Sequence, residues 1–258
     1  MNTNILEVKN LSKHFGGLKA LNNCNLSIKK NSITGIIGPN GSGKSTLFNV
    51  ITGNLPPTSG NIIYSKEEIT NVPSYELFSK GILRTFQIAH EFTNLTVLEN
   101  LMMVPDGQKG ENLMYTWLNP REIKKEDKII QEKAMEVLNF LNLDHLTNEV
   151  AGNLSGGQKK LLELGRTMMV DAKIVFLDEV GAGVNRTLLK DIGTSIIKLN
   201  QERGYTFCMI EHDMDFISRL CDPVIVLAEG SVLFEGTSEE VKKNEKVIES
   251  YLGKGNDL

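Results

Sequence analysis

The chain has 258 residues, of which 40% are hydrophobic and 23% charged, a composition that suits a globular core and excludes collagen-like and disordered proteins. Its net charge is −4 and its Lys and Arg residues are scattered, which argues against duplex nucleic acid as a partner. The longest apolar runs fall far below the roughly 20 residues that a membrane-spanning helix needs, and the first residues lack the pattern of a secretory signal. We therefore expect a cytosolic chain of one large domain or two unequal subdomains.

The first part of the chain predicts strands followed by a strand–loop–helix unit. Residues 5–37 are typical of short strands separated by turns, and they end in the apolar run 33–37. Such a run is typical of a buried parallel strand. A glycine-rich loop follows at 38–43, and the residues after it have helical spacing until Gly53.

A helical insertion is expected from about residue 93 to 169, where strand signals vanish. Two capping-box patterns, Ser or Thr followed three residues later by Glu or Gln, predict helix starts at Thr96 and Ser155. Within the insertion, residues 105–120 are expected to be irregular, and the alternating charges of 121–133 indicate a solvated helix.

The remaining chain alternates strands with helices, which predicts a parallel sheet with helices on its faces. A hairpin turn is expected at 229–230. We predict strands at 173–177, 206–210 and 224–228, and helices at about 187–202, 213–220 and within 238–252.

The loop after the first buried strand carries a phosphate-binding pattern. It fits GxxxxGK[ST], in which backbone N–H groups and the start of the next helix surround phosphate oxygens. In this assignment Lys44 meets the β- and γ-phosphates, Ser45 ligates Mg²⁺, and Thr46 adds a donor. A mere tight turn is disfavoured because the loop joins a buried strand to a helix. The pattern comprises Gly38, Pro39, Asn40, Gly41, Ser42, Gly43, Lys44 and Ser45.

Two carboxylates follow the apolar run 174–177. Asp178 and Glu179 are expected at the carboxyl end of a strand, where open α/β sheets bind ligands. Asp178 can hold Mg²⁺, usually through water, and Glu179 can orient and polarise the water that attacks the γ-phosphate. The alternative is a solvated turn, which becomes a minor possibility beside a phosphate loop.

Between these two motifs lies Leu154-Ser155-Gly156-Gly157-Gln158, which by itself could be only a capped helix start. The three motifs in this order resemble the ATP-binding cassette (ABC) superfamily over about residues 5–253. The resemblance implies an α/β fold: a RecA-like mixed-sheet core with an antiparallel β subdomain and an inserted helical subdomain. The resemblance implies one nucleotide-binding domain over 1–258. Within it, the catalytic core with the β subdomain comprises 5–92 and 170–237, the helical subdomain comprises 93–169, and a C-terminal helical cap comprises 238–258.

The resemblance also assigns roles to single residues. It makes Phe15 the aromatic side chain that stacks on adenine, Gln87 the glutamine that reaches Mg²⁺ and water, and His212 the histidine that bonds the γ-phosphate. Two cassettes pair head to tail in this superfamily, so Asn185 would cross the interface. The residues that would act on the partner's ATP are Ser155, Gly156, Gly157 and Gln158.

Finer features are similar to one branch, the ATP-binding subunits of branched-chain and related amino acid importers. The segments that carry this likeness are 15–20, 84–87, 95–100, 211–214 and 251–253. The chain departs from the usual pattern in having Val180 and Arg186 where proline is common.

The branch implies a peripheral ATPase on the cytoplasmic face of the membrane. Its implied partners are a second cassette, transmembrane permease subunits and, indirectly, a solute-binding protein. Two alternatives stay open: the ATPase of a lipid or lipopolysaccharide exporter, and a non-transport ATPase such as an iron–sulfur assembly scaffold.

Overall fold

The computed structural model describes residues 4–85, 92–170 and 172–252, without the side chain of residue 252. The chain forms two compact units. The first comprises 1–84, 173–181 and 196–258, and the second comprises 85–172 and 182–195. The subdomain boundaries implied by the family resemblance stay a prediction.

The first unit contains an antiparallel four-stranded sheet. Its spatial order is β2 (Leu18–Lys29), β1 (Asn4–Phe15), β4 (Ser59–Tyr64) and β5 (Glu67–Glu68). The prediction of short strands before residue 30 was wrong, since β1 and β2 each have 12 residues. The pairing of β1 with β2 contains several register shifts, which interrupt the alternation of apolar and polar residues by which a long strand is recognised in a sequence.

The same unit contains a six-stranded mixed sheet. Its spatial order is β10 (Ser231–Gly236), β9 (Val224–Ala228), β3 (Ile33–Ile37), β8 (Thr206–Ile210), β7 (Ile174–Asp178) and β6 (Ile82–Arg84). Only β10 runs antiparallel to its neighbour. The central strands β3, β7 and β8 are buried along their whole length, as expected for strands covered on both faces. The predicted α/β fold with a mixed sheet is confirmed.

Helices and a common core hold this unit together. The helices are α1 (Lys44–Ile51), α2 (Ser74–Ser79), α8 (Met214–Leu220), α9 (Ser238–Lys243) and α10 (Glu245–Leu252). Phe48 of α1 packs edge-on against Phe176 of β7, with ring centroids 5.0 Å apart. Both rings are fully buried, and each contributes about 1.5–3 kcal/mol of burial free energy. This packing fixes α1, and therefore the loop before it, against the sheet.

The second unit is helical. It contains α3 (Val97–Met102), α4 (Leu113–Leu118), α5 (Pro120–Phe140), α6 (Gly156–Met168) and the first part of α7 (Arg186–Arg203). Both predicted capping boxes are confirmed at the starts of α3 and α6. The expectation that 105–120 is irregular was wrong in part, because the Asn112 side chain caps α4 by accepting from the Tyr115 N–H. Within the described ranges, no helix is long and apolar enough to span a bilayer.

Candidate nucleotide-binding site

The loop between β3 and α1 is pressed closely against neighbouring backbone. A Cβ on Gly38 would lie 2.1 Å from the Leu227 carbonyl oxygen, and a Cβ on Gly43 would lie 2.5 Å from the Ala20 carbonyl oxygen. Both glycines also have positive φ angles, of 152° and 101°. Only glycine fits these two positions, and the loop therefore has a fixed concave shape.

The N-terminus of α1 is open to a ligand. Gly43 occupies the position of the capping residue, and no described side chain caps this helix. The first N–H groups of a helix need partners, and together with the helix dipole they favour an anion. In this first turn Ser45 is exposed and Thr46 is half-buried.

Lys44 lies inside the loop, with 7% of its surface exposed. Its ammonium group donates hydrogen bonds to the carbonyl oxygens of Gly38 (2.7 Å) and Pro39 (3.0 Å) and to Ser42 Oγ (3.4 Å). Burial lowers the pKa of Lys44, while the charges of Glu179 and Asp178 oppose that shift. The negative charges of both carboxylates therefore stabilise the protonated form of Lys44.

Glu179 and His212 meet beyond the ends of two adjacent parallel strands. The Glu179 N–H donates to the Ile210 carbonyl at 3.0 Å, and His212 Nε2 donates to Glu179 Oε1 at 3.0 Å. Glu179 has a φ of 49°, an uncommon value for a residue other than glycine, and such backbone positions cluster at functional sites. The geometry brings a carboxylate and an imidazole together, and the charge of this carboxylate acts on Lys44.

A buried carboxylate, that of Glu211, supports this pair. Its two oxygens accept hydrogen bonds from the backbone N–H groups of Gly181 (2.7 Å) and His212 (3.3 Å). Burial raises the pKa of Glu211, and the two backbone hydrogen bonds oppose that shift. The sequence motifs assign no role to Glu211, although its position directly after an apolar strand is a signal of a functional carboxylate.

Asp178 is buried and forms an ion pair. Its Oδ2 accepts from the Arg84 guanidinium at 2.7 Å, and the same guanidinium donates to Asn49 Oδ1 at 2.5 Å. The sequence did not indicate this contact, since Arg84 and Asp178 lie far apart along the chain and touch only because β6 and β7 are neighbours.

Two aromatic residues complete the first unit's part of the site. Phe15 is 46% exposed at the β1–β2 turn, and the Lys13 ammonium lies 5.2 Å from its ring centroid. Burial raises the pKa of Tyr251 in α10, and a hydrogen bond from the backbone of Gly38 opposes the shift.

The second unit contains the 154–158 segment. The Ser155 hydroxyl accepts from the Gln158 N–H at 3.4 Å, and Gln158 Oε1 accepts from the Ser155 N–H at 2.9 Å. Gly157 is buried against Leu188, whereas Gly156 is exposed. Asn185 caps α7 by accepting from the Leu188 N–H at 2.9 Å. Gln87, predicted to reach Mg²⁺ and water, lies outside the described residues.

A glycine-lined loop at an uncapped helix start, with a lysine and two carboxylates beside it, defines an α/β protein that binds a nucleoside triphosphate. Comparisons with known proteins refine this class. A family model described as "ABC transporter" matches residues 21–182, and a second, described as "Branched-chain amino acid ATP-binding cassette transporter", matches 231–257. The chain belongs to the ABC transporter family, as an ATP-hydrolysing, ATP-binding subunit.

Individual relatives match nearly the whole chain. A protein of Archaeoglobus fulgidus named "Probable branched-chain amino acid transport ATP-binding protein LivG" is 45% identical over 249 residues, covering 96% of this chain and 95% of its own. A solved nucleotide-free ATP-binding cassette of an ABC transporter is 40% identical, with a TM-score of 0.83 over 97% of this chain and 100% of its own. A dimeric post-hydrolysis cassette bound to ADP and Pi is 26% identical, with a TM-score of 0.73 over 90% and 98% of the two chains.

Proposed function

We propose that this chain hydrolyses Mg²⁺-ATP at a site shared between two cassettes and thereby powers the import of branched-chain or related amino acids. The observation that carries the proposal is the joining of Lys44, Asp178, Glu179 and His212 around an uncapped helix start in one compact unit. Each of these groups has the chemistry that phosphoryl transfer to water needs.

Phosphate binding uses the loop and its lysine. The N–H groups at the start of α1 donate hydrogen bonds to the phosphate oxygens, and Ser45 and Thr46 lie in the same turn. The Lys44 ammonium exchanges its hydrogen bonds to loop carbonyls for stronger, charge-assisted bonds to phosphate. Phe15, exposed at the β1–β2 turn, offers a flat face for the adenine ring.

The donor set beside the loop fits Mg²⁺, which prefers hard oxygen ligands and retains several waters. Asp178 supplies a buried carboxylate that shares its neighbourhood with Lys44, and Ser45 supplies an exposed hydroxyl group. These two residues would hold the ion, with Gln87 as the third group assigned by the family resemblance. When bound, Mg²⁺ supplies charge compensation for the phosphate oxygens.

Glu179 is the base that polarises the attacking water, and His212 holds it in place. The hydrogen bond from His212 Nε2 orients the Glu179 carboxylate, and a carboxylate can accept a further hydrogen bond from a water molecule. Glu211 fixes the backbone on either side of this pair, at Gly181 and at His212. General-base assistance of this kind contributes about 10²–10⁴ in rate.

The 154–158 segment acts on the ATP of a second cassette. The Ser155 hydroxyl uses an acceptor lone pair for its capping bond, so its O–H donor is available for a phosphate oxygen. Asn185 would lie at the same interface. Closure of the pair on two ATP molecules and opening after hydrolysis would be a ligand-driven population shift.

Transport partners and solute are inferred from relatives. Relatives that match this chain over nearly its whole length are named as branched-chain amino acid transport proteins, which disfavours the lipid-exporter and iron–sulfur alternatives. We propose permease subunits as direct partners, a solute-binding protein as an indirect one, and a peripheral location on the cytoplasmic face of the membrane.

The test is to purify the tagged chain from membranes, identify the subunits that accompany it, and reconstitute them in proteoliposomes with a solute-binding protein. We expect ATP-dependent uptake of radiolabelled leucine, isoleucine or valine, lost in the Glu179→Gln variant. ATP-dependent extraction of lipid would instead support the exporter, and recovery without any membrane subunit would support a non-transport ATPase.

A further inference from the structure

Arg84 joins the two elements that carry the proposed metal ligands. It is the last residue of β6, and its side chain is 11% exposed. One guanidinium nitrogen donates to Asp178 Oδ2 at 2.7 Å, and another donates to Asn49 Oδ1 at 2.5 Å. Its central carbon lies 5.8 Å from the Phe48 ring centroid. The guanidinium therefore spans from the end of β7 to helix α1.

These contacts bear on the metal site because of what each element contributes. Helix α1 begins at Lys44 and carries Ser45, and β7 ends at Asp178. A change in the distance between α1 and the end of β7 would move one proposed ligand away from the other. Arg84 fixes that distance through two hydrogen bonds made by one rigid, planar group.

The ion pair also defines how Asp178 can bind a cation. Since Oδ2 is occupied by the guanidinium, Oδ1 is the oxygen left for a metal ion or its water. The shared positive charge reduces the attraction of the carboxylate for a bare cation, which favours contact through water. A buried charge of this kind must be paired, and the pairing holds Asp178 in one orientation.

We propose that Arg84 is a positioning residue for Mg²⁺, which orients Asp178 and holds it at a set distance from Ser45. The inference rests on the proposed function, in which Asp178 and Ser45 hold the metal ion. Groups that orient a metal ligand typically change metal affinity by about 10- to 100-fold when mutated. Metal-free ATP binding should depend on Arg84 much less, since the loop and Lys44 supply those contacts.

The experiment measures ATP affinity by calorimetry in EDTA and over a Mg²⁺ titration, with Mn²⁺ binding followed by electron paramagnetic resonance. Arg84→Lys keeps the charge but cannot span both partners. We expect its half-saturating Mg²⁺ and its Mn²⁺ dissociation constant to rise about 10- to 100-fold, with ATP affinity in EDTA within about threefold of wild type. Asn49→Ala removes only the tie to α1, leaves no unpaired buried charge, and should give a smaller rise in the same direction.

Asp178→Asn separates failure of the inference from failure of the proposed function. If it leaves the Mg²⁺ dependence unchanged, Asp178 does not hold the metal and both proposals on this residue fail. If it weakens Mg²⁺ binding while Arg84→Lys and Asn49→Ala do not, only the role of Arg84 is overturned. Equal weakening with and without Mg²⁺ in the Arg84→Lys variant would also contradict it, since that pattern belongs to a general structural role.

Discussion

Helices α1 and α6 both begin with groups that can bind phosphate, but they differ in what those groups already contact. At α1 the capping position is Gly43, and the N–H groups of the first turn lack a side-chain cap in the described structure. At α6 Ser155 and Gln158 cap each other's backbone in a closed box. The first helix start therefore offers its N–H groups to an anion. At the second, the box satisfies the N–H groups of Ser155 and Gln158, so α6 can add the Ser155 O–H and the N–H groups of Gly156 and Gly157 as donors.

The residues around the two helix starts also differ in what they can do with a bound phosphate. The start of α1 lies beside a buried lysine, two carboxylates and a histidine, all within one compact unit. The start of α6 exposes Ser155 and Gly156, and Gly157 beneath them is buried against Leu188. The groups around α1 can bind a phosphate and activate a water molecule. The groups at the start of α6 can only complete a site that another surface supplies.

The largest effect should come from Glu179→Gln, which tests whether the α1 region performs the chemistry. Loss of the base should lower kcat by about 10³-fold while ATP affinity stays nearly constant, because the phosphate contacts remain. Steady-state ATPase assays and calorimetry measure the two quantities. Glu229→Gln is the matched control, since Glu229 has nearly the same backbone φ of 48° but an exposed position in a hairpin. Comparable losses in both variants would contradict the assignment of the base.

Lys44→Ala should weaken ATP binding itself, by about 10- to 100-fold, because charge-assisted bonds to phosphate disappear. The reduction of affinity distinguishes this lysine from Glu179. Equilibrium binding of ATP in the presence of Mg²⁺ gives the measurement, with Lys30→Ala on the exposed surface as the control. Unchanged affinity would mean that the Lys44 ammonium stays on its loop carbonyls in the bound state.

The smallest effect concerns the packing of α6 and uses two adjacent glycines. A Cβ at position 157 would lie 2.5 Å from Leu188 Cδ1 and 2.8 Å from its Cβ, so Gly157→Ala should destabilise the fold by about 1–3 kcal/mol. At position 156 the nearest atom is 3.6 Å away, and Gly156→Ala should be neutral or stabilise by up to about 1 kcal/mol. Urea unfolding compares the two free energies. Equal effects would contradict the close contact of α6 with Leu188.

Local patterns predicted most of the secondary structure, and long-range contacts explain what they missed. The capping boxes at Thr96 and Ser155 were predictable because helix caps depend on residues three positions apart. The length of β1 was not, since the shifted register with β2 becomes visible only when both strands pair.

The residues of the site also fall into those that local patterns predict and those that depend on long-range contacts. The loop and the acid pair have fixed local spacing, so the sequence predicts them as motifs, and in the structure the charges of Asp178 and Glu179 act on Lys44. Arg84 and Glu211 could not be assigned from spacing. Their contacts depend on the order of strands in the sheet, which places β6 beside β7 and β7 beside β8. The roles carried over from the family, including those of Phe15 and Gln87, stay predictions.

The central claim is that ATP is held between the α1 loop of one copy and the α6 start of another, and a mixing experiment tests it most directly. Ser155→Arg should bind ATP through its own loop but fail to close, and Lys44→Ala should bind ATP about 10- to 100-fold more weakly. A mixed dimer contains one site with intact Lys44 and Ser155 and one site with both lesions. The measurement is nucleotide-dependent dimerisation and ATP hydrolysis of the mixture against each variant alone. The account predicts that the mixture dimerises and hydrolyses ATP more than either variant alone. If the wild-type chain dimerises with ATP but the mixture is no more active or associated than its two variants, the account is contradicted.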